Sequence, residues 1–224
     1  MNELIHPHLF DGVRAFFTGK ALGTEVEKIS SIFHIAKENI FFPVQRHSDT
    51  IFILESDMRP RIADAVITAR RGILIGVKVA DCVPILLLDE KRSVIGAVHA
   101  GWRGSAAGIV KKSILLMIDR YESCPEDILV AIGPGIKCYE VGSEVKEAVE
   151  KTTGEGEYYC RSEQNGKFFL DLSHANMLQV VSLGVPVQNI WISGECTYCN
   201  SEKYYSYRYM KTYNGSQGGF IGIF

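Results

Sequence analysis

An α+β fold is what this 224-residue sequence predicts. Short apolar, strand-like runs and amphipathic helical stretches are interspersed, and they do not alternate as regular βαβ units. No linker, repeat or low-complexity tract interrupts them, so residues 1–224 are expected to form one domain. A chain of this length buries roughly 70% of its unfolded surface and needs no disulfide or metal merely to fold.

The elements follow in chain order. Gly12–Phe17 reads as a strand, and Thr24 caps a helix to about Lys37 with Val26, Ile29, Ile32, Phe33 and Ala36 on one face. Val66–Thr68, Ile73–Val79, Ile85–Leu88 and Val94–Val98 read as strands, the second buried on both faces because Leu74 is as apolar as Ile73 and Ile75. Arg70-Arg71-Gly72 and Asp89–Arg92 are the turns between them. Gly101–Gly104 is a tight loop into a helix from Ser105 to Arg120. Ile128–Ile132 is a buried strand ending at Gly133-Pro134-Gly135. Ser143–Glu150 is a helix, Thr153–Glu157 a surface loop and Phe168–Leu172 a strand. Ser173 caps a helix that Gly184 ends. Val187–Ile192 is a strand, and the tyrosine-rich tail has strand composition.

Composition excludes several function classes. The net charge is -2 and the longest basic runs are pairs such as Lys111-Lys112, so no nucleic-acid partner is expected. No apolar run reaches the roughly 18 residues of a membrane span, and no signal-peptide pattern opens the chain. Cys82, Cys124, Cys138, Cys160, Cys196 and Cys199 are scattered, which suits a reducing, cytoplasmic setting.

Three residues stand out as chemistry. His47 lies in a polar cluster between Phe41-Phe42 and Ile51-Phe52, Cys82 follows Asp81 in an otherwise apolar run, and His99 ends an apolar strand before Ala100-Gly101. Imidazole and thiolate are the donors zinc prefers, and three protein donors leave a fourth position open, as in catalytic rather than structural sites. Each has a plainer reading: His99 as a satisfied core histidine, Cys82 as a small hydrophobe. Asp81 weighs against the plain reading, because a carboxylate in an apolar run is costly unless paired or functional. Cys196-Thr197-Tyr198-Cys199 lacks a second pair at zinc-ribbon spacing and reads as structural, with redox activity as the alternative. Gly133-Pro134-Gly135 lacks the third glycine of a dinucleotide fingerprint.

The strings Ala63-Asp64-Ala65, Ala80-Asp81-Cys82-Val83-Pro84, Val98-His99-Ala100-Gly101-Trp102-Arg103-Gly104 and Ile132–Ile136 resemble one family. So do Cys138-Tyr139-Glu140-Val141-Gly142, Asp171-Leu172, Cys196-Thr197 and Ser206-Tyr207-Arg208. This is the multicopper-oxidase-like laccase-domain family, also called polyphenol oxidase or purine nucleoside phosphorylase and adenosine deaminase proteins. The resemblance runs from about residue 41 to 208. It implies a four-layer sandwich of mixed β-sheets flanked by helices, and a zinc site on His47, Cys82 and His99 with copper as the alternative ion. It also implies phosphate-dependent cleavage of adenosine, inosine, guanosine and methylthioadenosine, and deamination of adenosine. Gln45-Arg46-His47-Ser48 stands where the family has Gln-Val-His-Gly, and Gly215-Ser216-Gln217 lacks the family's arginine. Those departures bear on phosphate and sugar contacts more than on the metal donors.

On this reading Cys82 and Asp81 are the catalytic pair, with Asp81 carrying a proton or orienting a metal-binding side chain. Gln45 and Arg103 contact substrate or phosphate, a planar guanidinium being suited to oxyanions. For Asp81 a strand-end hydrogen bond, and for Arg103 a solvated loop charge, remain open. A cysteine hydrolase or deamidase using Cys82 with His99 is reasonable chemistry but leaves His47 without a role. A copper-dependent phenol oxidase needs more histidines than this pair, with only His6, His8, His34 and His174 besides. In a binding module, a metal would stabilise the fold alone.

Overall fold

The computed structural model describes residues 4–154, 160–162 and 167–224. In chain order the elements are β1 (Leu4–Ile5), β2 (Arg14–Thr18), α1 (Val26–Phe33), β3 (Ile40–Phe41), β4 (Ile51–Ile53), β5 (Ala65–Thr68) and β6 (Leu74–Val79). There follow β7 (Val83–Asp89), β8 (Val94–Ala100), α2 (Trp102–Ala106), α3 (Ile109–Tyr121), β9 (Ile128–Ile132), β10 (Tyr139–Val141) and α4 (Ser143–Thr153). The chain closes with β11 (Cys160–Ser162), β12 (Phe168–Leu170), α5 (Leu172–Val181), β13 (Ile190–Ile192), α6 (Tyr207–Met210) and β14 (Gln217–Gly222).

Two sheets form the centre. One runs β1-β2-β14-β6-β3, the other β13-β9-β7-β8-β5-β4, and a small third sheet is β10-β12-β11. Period-two burial explains their stacking. Val83, Ile85 and Leu87 of β7 face α3, α4 and α5, whereas Leu86 and Leu88 face the other large sheet. Ile75 and Val77 of β6 meet Leu86 and Leu88 between the sheets, while Leu74 turns the other way, toward Ile29 of α1. The order is therefore α1, sheet, sheet, helices: four layers, with strands buried on both faces.

Local chemistry moves several boundaries. The helix after residue 24 is short: it begins after Glu25, and Thr24 spends its hydroxyl on Ser216 instead of a cap. Gly108, at φ 73°, splits the expected Ser105–Arg120 helix, and Trp102–Ala106 is already helical. Asp171, not Ser173, caps α5: its carboxylate accepts from the backbone N–H of Ser173 and His174, because a carboxylate one residue before the helix reaches both donors. Val187–Asn189 is a 3-10 turn, leaving only Ile190–Ile192 as strand. The tyrosine-rich tail contains α6 before β14. Thr153 closes α4, and the rest of the expected Thr153–Glu157 loop lies, beyond Gly154, outside the described residues. Among the described residues no helix is long and apolar enough to cross a membrane.

Candidate metal centre

Two connections and one strand end converge where β7 begins and β8 ends, inside the six-stranded sheet. His47 sits in the loop between β3 and β4, Cys82 in the turn from β6 to β7, and His99 near the end of β8. Pro84 pairs with His99 across the β7–β8 ladder, which brings the Cys82 turn beside the histidine. A donor atom from each of His47, Cys82 and His99 lies within 4.8 Å of the others. The imidazoles meet edge to face at 4.8 Å between centroids. His99 is buried, Cys82 half-buried and His47 exposed, so the cluster opens outward.

Asp64 holds the cluster together. Its carboxylate, fully buried at the start of β5, accepts from the backbone N–H groups of Arg46, His47 and Ser48 and from the Ser48 hydroxyl at 2.7–3.2 Å. These donors fix a turn in which His47 adopts φ 59°, a left-handed conformation that costs a non-glycine residue free energy unless its surroundings enforce it. The same carboxylate receives His99 Nδ1 at 2.7 Å, leaving Nε2 as the nitrogen free for a ligand. Burial alone would raise the Asp64 carboxyl; the bonds from His99, Ser48 and the backbone outweigh it and hold it below the usual carboxylate range.

The thiol and imidazole perturb one another. Burial would push the Cys82 thiol up, yet the charge of His99 and the hydrogen bonds from both histidines lower it to about 6. Burial likewise opposes a charged His99, but the Cys82 thiolate and Asp64 raise it to about 9. In the metal-free protein the pair is thiolate and imidazolium near neutrality.

The donor set suits a soft or borderline divalent ion of the zinc class. Space is reserved for it as well. A Cβ on Gly101 would stand 2.9 Å from Cys82 Sγ and 3.3 Å from His47 Cδ2, so glycine alone leaves both donors unobstructed. Gly101 precedes α2, which Asn176 and Gln179 of α5 hold by donating to the Ser105 hydroxyl and carbonyl.

A cleft of about 510 Å³ opens above the three donors, the size of a small-molecule site. Its walls include Lys78, Trp102, Arg103, Tyr139, Tyr207 and Arg208. The three remaining sequence candidates divide. Arg103 lies on α2, not in a loop, exposed in the cleft with its guanidinium 4.3 Å from the Trp102 ring centroid. Gln45 lines the cleft too, but both ends of its amide bond the Lys78 backbone, as a strand partner would. Asp81 also lines the cleft, at φ 87°, with one carboxylate oxygen taken by the Thr197 hydroxyl and the other by the Arg208 N–H, both at 2.7 Å. The strand-end hydrogen bond left open for Asp81 is therefore present, and it fastens the late segment bearing Arg208 over the Cys82 turn.

Two residues had no assigned role in the sequence. Asp64 was detectable as a carboxylate between alanines opening an apolar strand. Arg208, stacked 4.6 Å from the Tyr139 ring centroid, carried no signal beyond its string.

A family model described as multi-copper polyphenol oxidoreductase laccase matches residues 20–224. A purine nucleoside phosphorylase of Bacteroides thetaiotaomicron is 35% identical over 184 residues, spanning 76% of this chain and 68% of that protein. A protein named adenosine deaminase RL5, from an unknown prokaryotic organism, is 33% identical over 200 residues, spanning 84% and 75%. The crystal structure of YlmD from Geobacillus stearothermophilus has a TM-score of 0.90 at 28% identity, covering 97% of this chain and 94% of that one.

Proposed function

Because this chain belongs to the multi-copper polyphenol oxidoreductase laccase family, with relatives named for purine nucleosides, we propose that it is a zinc-dependent purine nucleoside phosphorylase that also deaminates adenosine. The observation that carries the proposal is the convergence of His47, Cys82 and His99 beneath a cleft of nucleoside size. The substrates are purine nucleosides and phosphate, and the working compartment is the reducing cytoplasm.

His47, Cys82 and His99 would hold the ion, which when bound supplies Lewis acidity and activates water near neutral pH. Trp102, Tyr139 and Tyr207 offer aromatic faces to a purine. Arg103 and Arg208 project cations into the same cleft, where phosphate or the charge building on a departing base would sit. Asp64 keeps the Nδ1 proton of His99, and with it the tautomer whose Nε2 can act as donor. Asp81, with both oxygens committed, positions the Arg208 segment; a direct proton-transfer role requires it to release Thr197 or the Arg208 N–H.

A second reading has one observation in its favour. The lowered Cys82 thiol beside a raised His99 is the pairing of a cysteine nucleophile with its acid partner. It leaves the convergence of His47 unexplained. Chromatography of adenosine and inosine reactions, with and without phosphate and after rigorous chelation, tests both. Free base should form only with phosphate and only with metal; turnover that survives chelation supports the cysteine enzyme, and no consumption of either nucleoside defeats the proposal.

A further inference from the structure

The Cys196–Cys199 pair is not alone in the fold. Cys138, 58 residues earlier in the chain, brings its sulfur to 3.7 Å from Cys196 Sγ and 3.4 Å from Cys199 Sγ. All three are free thiols whose sulfurs lie within 4.8 Å of one another. The cluster stands outside the donor set of the cleft and has no part in the chemistry above.

We propose that Cys138, Cys196 and Cys199 form a second metal site, which takes a thiophilic divalent cation of the zinc class and ties together the two segments that wall the cleft. Geometry supports this first. Zinc–sulfur bonds of about 2.3 Å in a tetrahedron set sulfurs about 3.8 Å apart, close to the 3.7 Å and 3.4 Å seen here. At one of the three sulfurs the backbone already supplies a donor that a thiolate would accept: the Lys137 N–H lies 3.4 Å from Cys196 Sγ. An ion has a route in, since Cys199 is exposed and Cys138 half-buried. No fourth side-chain donor joins the group among the described residues, so solvent completes the coordination.

The position gives the site a purpose. Cys138 immediately precedes Tyr139, a cleft wall, and Thr197, which follows Cys196, donates to Asp81 beside Cys82. Gly135 and Cys196 already form a parallel bridge, with the Thr197 N–H donating to the Gly135 carbonyl. An ion on the three sulfurs would clip these segments at one point and brace the turn that presents Cys82. Sequence spacing hid the site because its third donor comes from a distant loop.

The test uses full-length Cys82→Ala, reduced and metal-free, so that the cleft site is disabled while the thiol cluster is intact. Titration with Cd2+ is followed by thiolate-to-metal charge-transfer absorbance in the ultraviolet. We expect the band to saturate at one equivalent. In Cys82→Ala/Cys199→Ser and Cys82→Ala/Cys138→Ser it should be lost or require at least tenfold more Cd2+. The otherwise native protein should hold two zinc equivalents, and its Cys199→Ser variant one. Absence of the band in Cys82→Ala, or a band unaffected by either serine substitution, overturns the proposal. So does a disulfide among these cysteines in metal-free protein isolated anaerobically. The Cys82→Ala titration needs no change in the cluster, so a serine variant that fails to fold does not shield the proposal.

Discussion

Replacing Asp64 with asparagine is the sharpest perturbation of the centre, because one carboxylate serves both its backbone and its imidazole. Oδ1 receives the His47 N–H and His99 Nδ1, and Oδ2 receives the N–H and hydroxyl of Ser48, with Arg46 shared between them. An asparagine offers one acceptor oxygen and a donor NH2. If the NH2 takes the Oδ2 position it faces the Ser48 N–H; if it takes Oδ1 it faces the His47 N–H and forces His99 to accept at Nδ1. Either way at least one partly buried donor is stranded, at about 1–3 kcal/mol, and the surviving bonds lose their charge assistance, so a total loss of about 2–4 kcal/mol is expected. In the second orientation the proton moves to His99 Nε2, the ligand nitrogen. Metal affinity should drop roughly 10–100-fold, the usual cost of removing the group that orients a metal-binding histidine. Denaturant unfolding of the metal-free proteins reads the first quantity, and competition with a chromophoric zinc chelator the second. Since the folded-state carboxyl is depressed, its contribution is present above the ordinary carboxylate range near pH 4 and is lost as pH falls through the depressed value. The gap between native protein and variant should therefore hold from pH 7 to about pH 4 and narrow only below that. A variant within about 0.5 kcal/mol of the native stability, with unchanged zinc affinity, would refute this reasoning.

Further outcomes follow from the same geometry. In Cys138→Ser/Cys199→Ser protein, which keeps only the cleft donors, zinc uptake at pH 7.5 should release about one proton per ion from His99, measured by calorimetry in buffers of different ionisation enthalpy; zero release would contradict the imidazolium assignment. Apparent affinity should rise with pH until about 9, because His99 must shed its proton to bind, and should fall more steeply below 6, where Cys82 is protonated too. In metal-free protein the Cys82 peptide should be alkylated by iodoacetamide with a midpoint near pH 6; a midpoint near 9 would show that the thiol is unperturbed. Gly101→Ala should lower metal affinity, measured by chelator competition, since φ -74° admits alanine but the added methyl would stand 2.9 Å from Cys82 Sγ and displace that donor; unchanged affinity would show that glycine is not required there. Arg103→Ala should raise the KM for phosphate more than that for nucleoside, and equal effects on both would place the guanidinium elsewhere.

Much of the sheet framework was legible because its signal is local. β5 to β9 are continuous apolar runs, and the alternation of Ile75, Val77 and Leu74 already implied burial on both faces. The short strands β1, β3, β4 and β10 were not legible: two or three residues carry no period, and only pairing with a neighbour makes Ile40–Phe41 or Tyr139–Val141 a strand. The donors were legible as residue types, but their meeting depends on the β7–β8 register and on Asp64, which no spacing rule connects to His99. Gln45 and Asp81 show the opposite limit. Gln45 read as a substrate contact and Asp81 as a proton carrier or orienting group, with a strand-end hydrogen bond as its alternative; in the fold their polar atoms bond the backbone of Lys78 and Arg208 and the hydroxyl of Thr197.

Anomalous diffraction at the zinc edge, from crystals of protein purified without added metal, bears most directly on the centre. A peak bounded by His47, Cys82 and the Nε2 of His99, lost in Cys82→Ala, is the expected result. A map with no peak there, from protein that still releases free purine base in the presence of phosphate, would contradict it.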